Sequence, residues 1–497
     1  MSDTRSVSDG LAASCLSATE AVRLMGRGEL RVHEYAMQLI SLSRSAHFLK
    51  AITWIDESRV LASARSVDER LQRGEDVGAL GGLPVIVKDN IDLAGTVTAA
   101  GTTFLKGNLR TATAPIVQRL LENGAIIFAK SNMHELAAGG TSTNPVTGAV
   151  ANPYDRSRVA GGSSGGTAAA VSAGIVPVGL GTDTAGSVRV PAALCGVVGF
   201  RPSSAGAVYP MKGVLPLASD LDTVGLIART VSDVALLHTT ITGVPTHAVR
   251  EPSTLRIGIP RGPYWQDLDP EVLRVAERAL SGLQSAGAVI VDVDVSGYYA
   301  LATEIQATLL MAGLKESLRM YPKLIGAGFS VQDVIDAICS QDAKALFERA
   351  NRMRLAAIQI HEARSSSRRR IGALYREMFL GNDLDAIAFP TVPMVAPPIS
   401  AHGDTAMDEI EINGRRVNKG FAWVRNTRVT SALGAPGLSI PAGLAAGGLP
   451  VGVEFDGLPG EDAALLALGM AVERVWPPMQ KPGIVKADFA AQVWVSS

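Results

Sequence analysis

The chain has 497 residues, with 46 Lys and Arg against 47 Asp and Glu and a formal net charge of −1. That balance supplies no long-range field to gather nucleic acid or an anionic membrane surface, and it suits a small, mostly neutral ligand. Three scattered cysteines, Cys15, Cys195 and Cys339, give neither a disulfide framework nor a metal-ligand spacing, so the expected setting is a reducing cytoplasm.

The first ten residues lack the basic and apolar regions of a secretory signal. From Ser17 to about Leu71 the pattern is helical. Ser17-Ala18-Thr19-Glu20 reads as a capping box, and apolar residues recur at three and four spacing through Leu24, Leu39 and Leu42. Short apolar runs at Pro84 to Val87, Ala125 to Ala129 and Ile175 to Gly179 then alternate with helix-like segments at Ala114 to Asn123 and Gly166 to Ala173. That alternation predicts an α/β sheet. The longest apolar tract, Ala168 to Leu180, is broken by Gly174 and Pro177 and falls short of the roughly 20 residues of a membrane helix.

A mostly helical segment follows from about Tyr299 to Phe379, with Ser330-Val331-Gln332-Asp333 as a cap and a basic run at Arg368-Arg369-Arg370, read as a solvated helix face without function. Strands resume at Ala386 to Phe389, Gly437 to Ile440 and Val451 to Phe455. With no long flexible linker, residues 1–497 are expected to form one α/β unit. Within it, 1–71 is a helical N-terminal layer, 72–298 the core, 299–380 a helical insertion near the ligand pocket and 381–497 a return to the core.

The chemistry concentrates in two glycine-rich turns, Gly161-Gly162-Ser163-Ser164-Gly165-Gly166 and Gly181-Thr182-Asp183-Thr184-Ala185-Gly186-Ser187-Val188-Arg189. Glycine at this density lets backbone amides approach a ligand closely. The first turn also satisfies G-x-S-x-G, but a nucleophile elbow needs a strand before it, and Asn152 to Arg158 are polar and loop-like. Of seven histidines, His361 lies in a charged helical stretch and His402 in a polar loop, and none stands in a motif that marks a catalytic base. No lysine has a serine three positions before it, which removes a Ser-x-x-Lys site, and no Walker A lysine or HExxH is present. No metal or cofactor is expected.

Lys88 is the base that remains, carried inward by the apolar run Leu83-Pro84-Val85-Ile86-Val87. Burial lowers a lysine pKa, and a neutral amine accepts a proton from a hydroxyl. A structural lysine paired with Asp89 or Asp92 is the alternative reading of the same residues. The run Thr184-Ala185-Gly186-Ser187 would aim successive N–H groups at one spot, as an oxyanion requires, although a tight turn with a helix-capping serine has the same pattern. Asp183 and Arg189 flank this turn and are read as a structural ion pair.

Together, Lys88, the Gly-Gly-Ser-Ser-Gly-Gly block and Gly-Thr-Asp-Thr-Ala-Gly-Ser-Val-Arg closely resemble the amidase signature family. The likeness runs from about Gly81 through Pro202-Ser203 and continues in Asp220 to Gly225. It returns in Ala435 to Gly443 and Leu449 to Val453, and it is weakest around 299 to 380. The resemblance implies a mixed central β-sheet flanked by helices and a Ser-cisSer-Lys triad. In that triad Ser187 is the nucleophile, Ser163 the bridging serine after a cis peptide and Lys88 the neutral base. Thr184, Ala185 and Gly186 would then form the oxyanion hole, with Ser164, Asp183 and Arg189 in support.

Two positions depart from the family pattern: Ala185, where many members have glycine, and Val190, where glutaminyl amidotransferase A subunits usually have glutamine. Ser131-Asn132-Met133-His134-Glu135-Leu136-Ala137 and Asn152-Pro153-Tyr154-Asp155 are similar to the branch of indoleacetamide, mandelamide and aryl-amide hydrolases, which includes urethanases. The implied substrates are small apolar or aromatic amides or carbamates, contacted by Met133, Gly139, Gly140 and Thr141. Core packing is the alternative reading of Met133 and Met311. The implied protein is a monomer or homodimer that needs neither nucleic acid nor membrane. An amidotransferase A-type subunit, which releases ammonia from glutamine beside a partner chain, is the alternative.

Overall fold

In the computed structural model, residues 13–204, 209–326, 328–400 and 409–483 are described. Among these residues, eleven strands form one mixed sheet. In chain order they are β1 (Ile52–Trp54), β2 (Pro84–Lys88), β3 (Ile126–Ser131), β4 (Val178–Asp183), β5 (Val198–Arg201), β6 (Thr223–Ala228), β7 (Arg256–Ile259), β8 (Val289–Asp292) and β9 (Ala386–Pro390). After a separate hairpin of β10 (Glu409–Ile412) and β11 (Arg415–Asn418) come β12 (Gly437–Leu444) and β13 (Pro450–Asp456). The spatial order is β1-β3-β2-β4-β6-β5-β12-β13-β9-β7-β8.

β2 is parallel to both β3 and β4, with Val85 opposite Val178 and Val87 opposite Leu180, so Lys88 and Asp183 end neighbouring strands at one edge of the sheet. Crevices at the carboxyl ends of parallel strands are where α/β sheets hold ligands. Every residue of β2 and β4 is buried. The two faces are therefore covered, and each buried Val or Ile contributes about 1.5–3 kcal/mol, so a charge at Val87 would break the strand that carries Lys88.

Between the serine loop and β4 runs the helix Gly165–Ser172, buried over Gly165–Val171. Its sequence is small and apolar all round, the composition of a helix inside a core rather than on a surface. At the other end of β4, the helix Arg189–Cys195 is also wholly buried and closes with Gly196 in the left-handed conformation.

The helical reading of residues 17 to 71 needs one correction. Ile52–Trp54 is a strand, β1, pairing antiparallel with β3 between the helices Val32–Ser45 and Glu57–Gln72. Ser17 does cap the first helix, accepting the Glu20 N–H at 3.1 Å. The strand expected at Ile175 to Gly179 begins later, at Val178, after the turn made by Gly174 and Pro177.

Helices dominate from Ser296 to Gly381, as expected, and Ser330 with Asp333 forms a reciprocal capping box. A second apolar cluster joins this region to the loop after β3 and to the segment before β6: Met133 and Leu136, with Leu217, pack with Met311, Leu318, Tyr321 and Phe347. Among the described residues, no helix is long and apolar enough to cross a membrane.

Candidate active site

Lys88 lies at the end of β2 with no solvent exposure. Its Nζ is 2.8 Å from Ser163 Oγ, 2.8 Å from Ser164 Oγ and 2.9 Å from Thr182 Oγ1. The carboxylates weighed as structural partners are engaged elsewhere, Asp89 with Lys130 at 3.5 Å and Asp92 with Arg110 at 2.8 Å. Burial pulls the Lys88 ammonium down to about 7, against the opposing charges of Asp183 and Asp222. A neutral amine donates two hydrogens and offers one lone pair, so among these hydroxyls it can accept a proton from Ser163.

Ser163 follows a cis Gly162–Ser163 peptide, and its carbonyl accepts the His134 N–H at 3.1 Å. Ser164 N donates to the carbonyl of Ser187 at 3.1 Å, which ties the two glycine turns together. Ser187 keeps 8% exposure while Ser163 and Lys88 keep none, so of the three only Ser187 is open to an incoming molecule. It precedes the helix Arg189–Cys195, whose N-cap is Val188, so the capping role does not fall to Ser187.

Asp183 organises the turn. Its Oδ1 accepts Gly186 N at 2.9 Å and Oδ2 accepts Val188 N at 3.1 Å, while Arg189 and Arg201 each reach Oδ1 at 3.0 Å. Burial opposes ionisation of Asp183, but the two guanidiniums outweigh it and hold the carboxyl below the usual range. The structural reading of Asp183 and Arg189 agrees with this geometry.

Gly186 is a correction to the oxyanion set. Its N–H is committed to Asp183, leaving Thr184 and Ala185 from the expected three. Its φ of 137° favours glycine, and a Cβ there would fall 2.1 Å from Thr427 Oγ1. Thr427 donates to the Ala185 carbonyl, and Thr184 Oγ1 donates to Asp222 Oδ1 at 2.6 Å, bracing the turn from both sides.

The expected ligand contacts divide. Met133 is fully buried in the second apolar cluster, beside Met311, so its packing reading holds and the contact expected of it is corrected. Thr141 is buried too, its hydroxyl 3.4 Å from His134 Nδ1 and accepting Thr143 N at 3.1 Å. Gly139 lies against the His134 ring and Gly140 against the Trp423 indole, and both are half-buried.

Sequence reasoning missed Thr182, Arg201, Asp222, Thr427 and Glu454. None belongs to a local motif with its partner, and only the fold brings them together. His402 lies outside the described residues, and His361 sits on the helix Ala357–Glu362. Of the basic run, Arg369 and Arg370 are exposed as expected. Arg368 departs from that reading: it is half-buried and donates to the carbonyls of Ala432, Asp220 and Ser431. A cavity of about 530 Å³ lies beside it, lined in part by Ser203, Asp220, Asp222, Arg364 and Arg369 but by none of Lys88, Ser163 and Ser187.

This arrangement of a mixed sheet, a buried lysine and paired glycine turns has close counterparts. The family model described as Amidase matches residues 40–466. The chain is 37% identical over 460 residues to an indoleacetamide hydrolase of Agrobacterium vitis, covering 92% of this chain and 96% of that protein. A mandelamide hydrolase of Pseudomonas putida is 35% identical over 480 residues, covering 93% and 91%. A crystal structure of an amidase superposes with a TM-score of 0.80 at 32% identity, covering 93% of this chain and all of the other. The chain belongs to the amidase family of hydrolases.

Proposed function

We propose that the protein hydrolyses small apolar or aromatic amides, and carbamates of the same shape, through an acyl-enzyme on Ser187. The observation that carries this reading is the buried Lys88 amine, 2.8 Å from the Ser163 hydroxyl and without a carboxylate partner among the described residues. Lys88 takes the proton of Ser163 as Ser163 takes that of Ser187, and Ser187 Oγ bonds to the carbonyl carbon. The amides of Thr184 and Ala185 receive the developing oxyanion. The relay then returns a proton to the leaving amine, and water cleaves the acyl-enzyme.

An aryl-bearing substrate is supported by the relatives named for indoleacetamide and mandelamide. A carbamate offers Ser187 the same carbonyl and would yield an amine, an alcohol and carbon dioxide.

The test is release of one chromogenic amine from a matched aryl amide and aryl carbamate, by the purified protein and by Ser187→Ala. Turnover of either that falls by several orders of magnitude in Ser187→Ala is expected. Equal turnover by the variant would overturn the reading, and the ratio between the two substrates decides which bond is preferred.

A further inference from the structure

β13 carries Glu454 and Asp456 two residues apart, so both side chains stand on one face of the sheet. Across the ladder, Asp456 faces Gly437. A Cβ at Gly437 would come within 2.9 Å of both Asp456 Oδ1 and Glu454 Oε1, so the glycine makes the room in which the carboxyls meet. Both carboxyls therefore border the one space left open at Gly437. They are 0% and 1% exposed, too little for water to solvate a charge.

Glu454 Oε1 accepts from Arg189 Nη1, and Asp456 Oδ2 accepts from Thr430 Oγ1 at 2.5 Å. The other oxygens, Glu454 Oε2 and Asp456 Oδ1, receive no hydrogen bond from any described residue. A buried acceptor left this way forfeits the hydrogen bond it had in water, and two adjacent buried anions repel as well. One proton between them removes both penalties.

Charge balance points the same way. The groups facing the pair are Arg189 and, behind it, Asp183 and Arg201. Tyr264, Tyr298 and Tyr375 also act on Asp456, and burial pushes each of these phenols upward, so they stay neutral. Two guanidiniums would face three carboxylates if both members of the pair were ionised. A single shared proton brings these five groups to neutrality. Burial raises both carboxyls, with Arg189 opposing, and the Glu454 charge raises Asp456 further.

We propose that Glu454 and Asp456 share one proton and act as a positioning pair, holding Arg189 and, through Asp183, the turn that presents Ser187. The positioning part rests on the function proposed above, whereas the shared proton does not.

The experiment compares the infrared absorption of protonated carboxyl groups in the wild type, Glu454→Gln and Asp456→Asn near neutral pH. A component of the band present in the wild type and lost in both variants is expected, beyond the part that Glu473, raised to about 8 by burial, gives to all three proteins, because either amide leaves a lone carboxyl that ionises opposite Arg189. Survival of that component in either variant, or no difference between wild type and variants, would overturn the sharing.

Turnover of the chromogenic aryl amide reads the positioning. Each single exchange is expected to lower kcat about threefold, and Glu454→Gln/Asp456→Asn, which strips the negative charge from Arg189, about thirtyfold or more with little change in KM. Additive losses, or a loss carried by KM, would overturn it. The infrared comparison decides the pair if the double variant does not fold. Retained turnover in Ser187→Ala would instead sink the proposed function and leave the infrared result standing.

Discussion

The carboxylate of Glu135 caps a helix more than 200 residues away: its Oε2 accepts the Ser340 N–H at 2.6 Å and the Cys339 N–H at 3.0 Å. Ser340 is the N-cap of the helix Gln341–Arg352 and makes no side-chain cap of its own. A carboxylate there also meets the positive end of the helix dipole. Alongside, His134 Nε2 lies 3.1 Å from Asp342 Oδ2, so two consecutive residues after β3 fasten the helical insertion to the loop that carries Gly139 to Thr141.

Removing that clasp should loosen the insertion before it touches the chemistry. Glu135→Ala leaves two amides without their acceptor and is expected to cost about 1–3 kcal/mol in urea denaturation. KM for an aryl amide should rise more than kcat falls, because the loosened loop carries Gly139 and Gly140, the proposed substrate contacts, and not Ser187.

Thr427 is expected to matter for turnover although no motif marks it. Its hydroxyl holds the Ala185 carbonyl and stands where a side chain at 186 would go. Thr427→Val keeps the volume and loses the hydrogen bond, so kcat should fall about tenfold with KM little changed. Thr427→Ser, which keeps the hydroxyl, should recover most of it. Steady-state kinetics of the two variants separates the hydrogen bond from the packing.

The contrast between Ser163 and Thr427 shows what the sequence can reveal. Ser163, Ser187 and Asp183 stand in glycine-rich turns whose composition is abnormal for any ordinary loop, and Lys88 ends an apolar run that can only be an interior strand. Thr427 and Glu454 look ordinary in their own surroundings. Their roles arise from contacts with Ala185 and Arg189 across more than 240 residues. The sheet divides similarly. Fully buried runs such as Ile126 to Ala129 are legible, but β1 is three half-exposed residues between helices and exists because β3 pairs with it. β4 includes Gly179 and Gly181, poor strand formers that neighbours on both sides hold extended. The correction to the oxyanion set has the same origin, since only the fold shows that Asp183 has claimed the Gly186 amide.

Activity should follow the neutral form of Lys88. With that group brought down to about 7 by burial, kcat/KM is expected to fall about tenfold per unit below pH 7 and level off above it. Stability has its own sign. Between about 7 and the ordinary lysine value of 10.5, the unfolded chain holds a proton at Lys88 that the folded chain does not, so folding gains as pH rises through this window. Lys88→Met removes the effect. It should be inactive, and more stable than the wild type in acid by an amount on the order of 5 kcal/mol that shrinks toward pH 10. Urea denaturation across pH, with a stability gap that does not narrow, would refute the assignment.

Asp183→Asn tests the ion cluster under the turn. The exchange preserves shape but leaves two buried guanidiniums, Arg189 and Arg201, short of one countercharge. Breaking a buried pair from one side costs about 3–5 kcal/mol, and the loss should appear in urea denaturation together with a fall in kcat, because the one oxygen of Asn can accept from only one of the Gly186 and Val188 amides. The pH dependence identifies the cause. A depressed carboxyl stabilises above its unfolded value of about 3.8, and the contribution disappears only as pH falls through the lower folded value. The deficit of Asp183→Asn should therefore change by less than about 1 kcal/mol between pH 7 and pH 4, because folded Asp183 stays ionised throughout. A deficit that closes by pH 4 would mean that Arg189 and Arg201 do not hold Asp183 in its charged form.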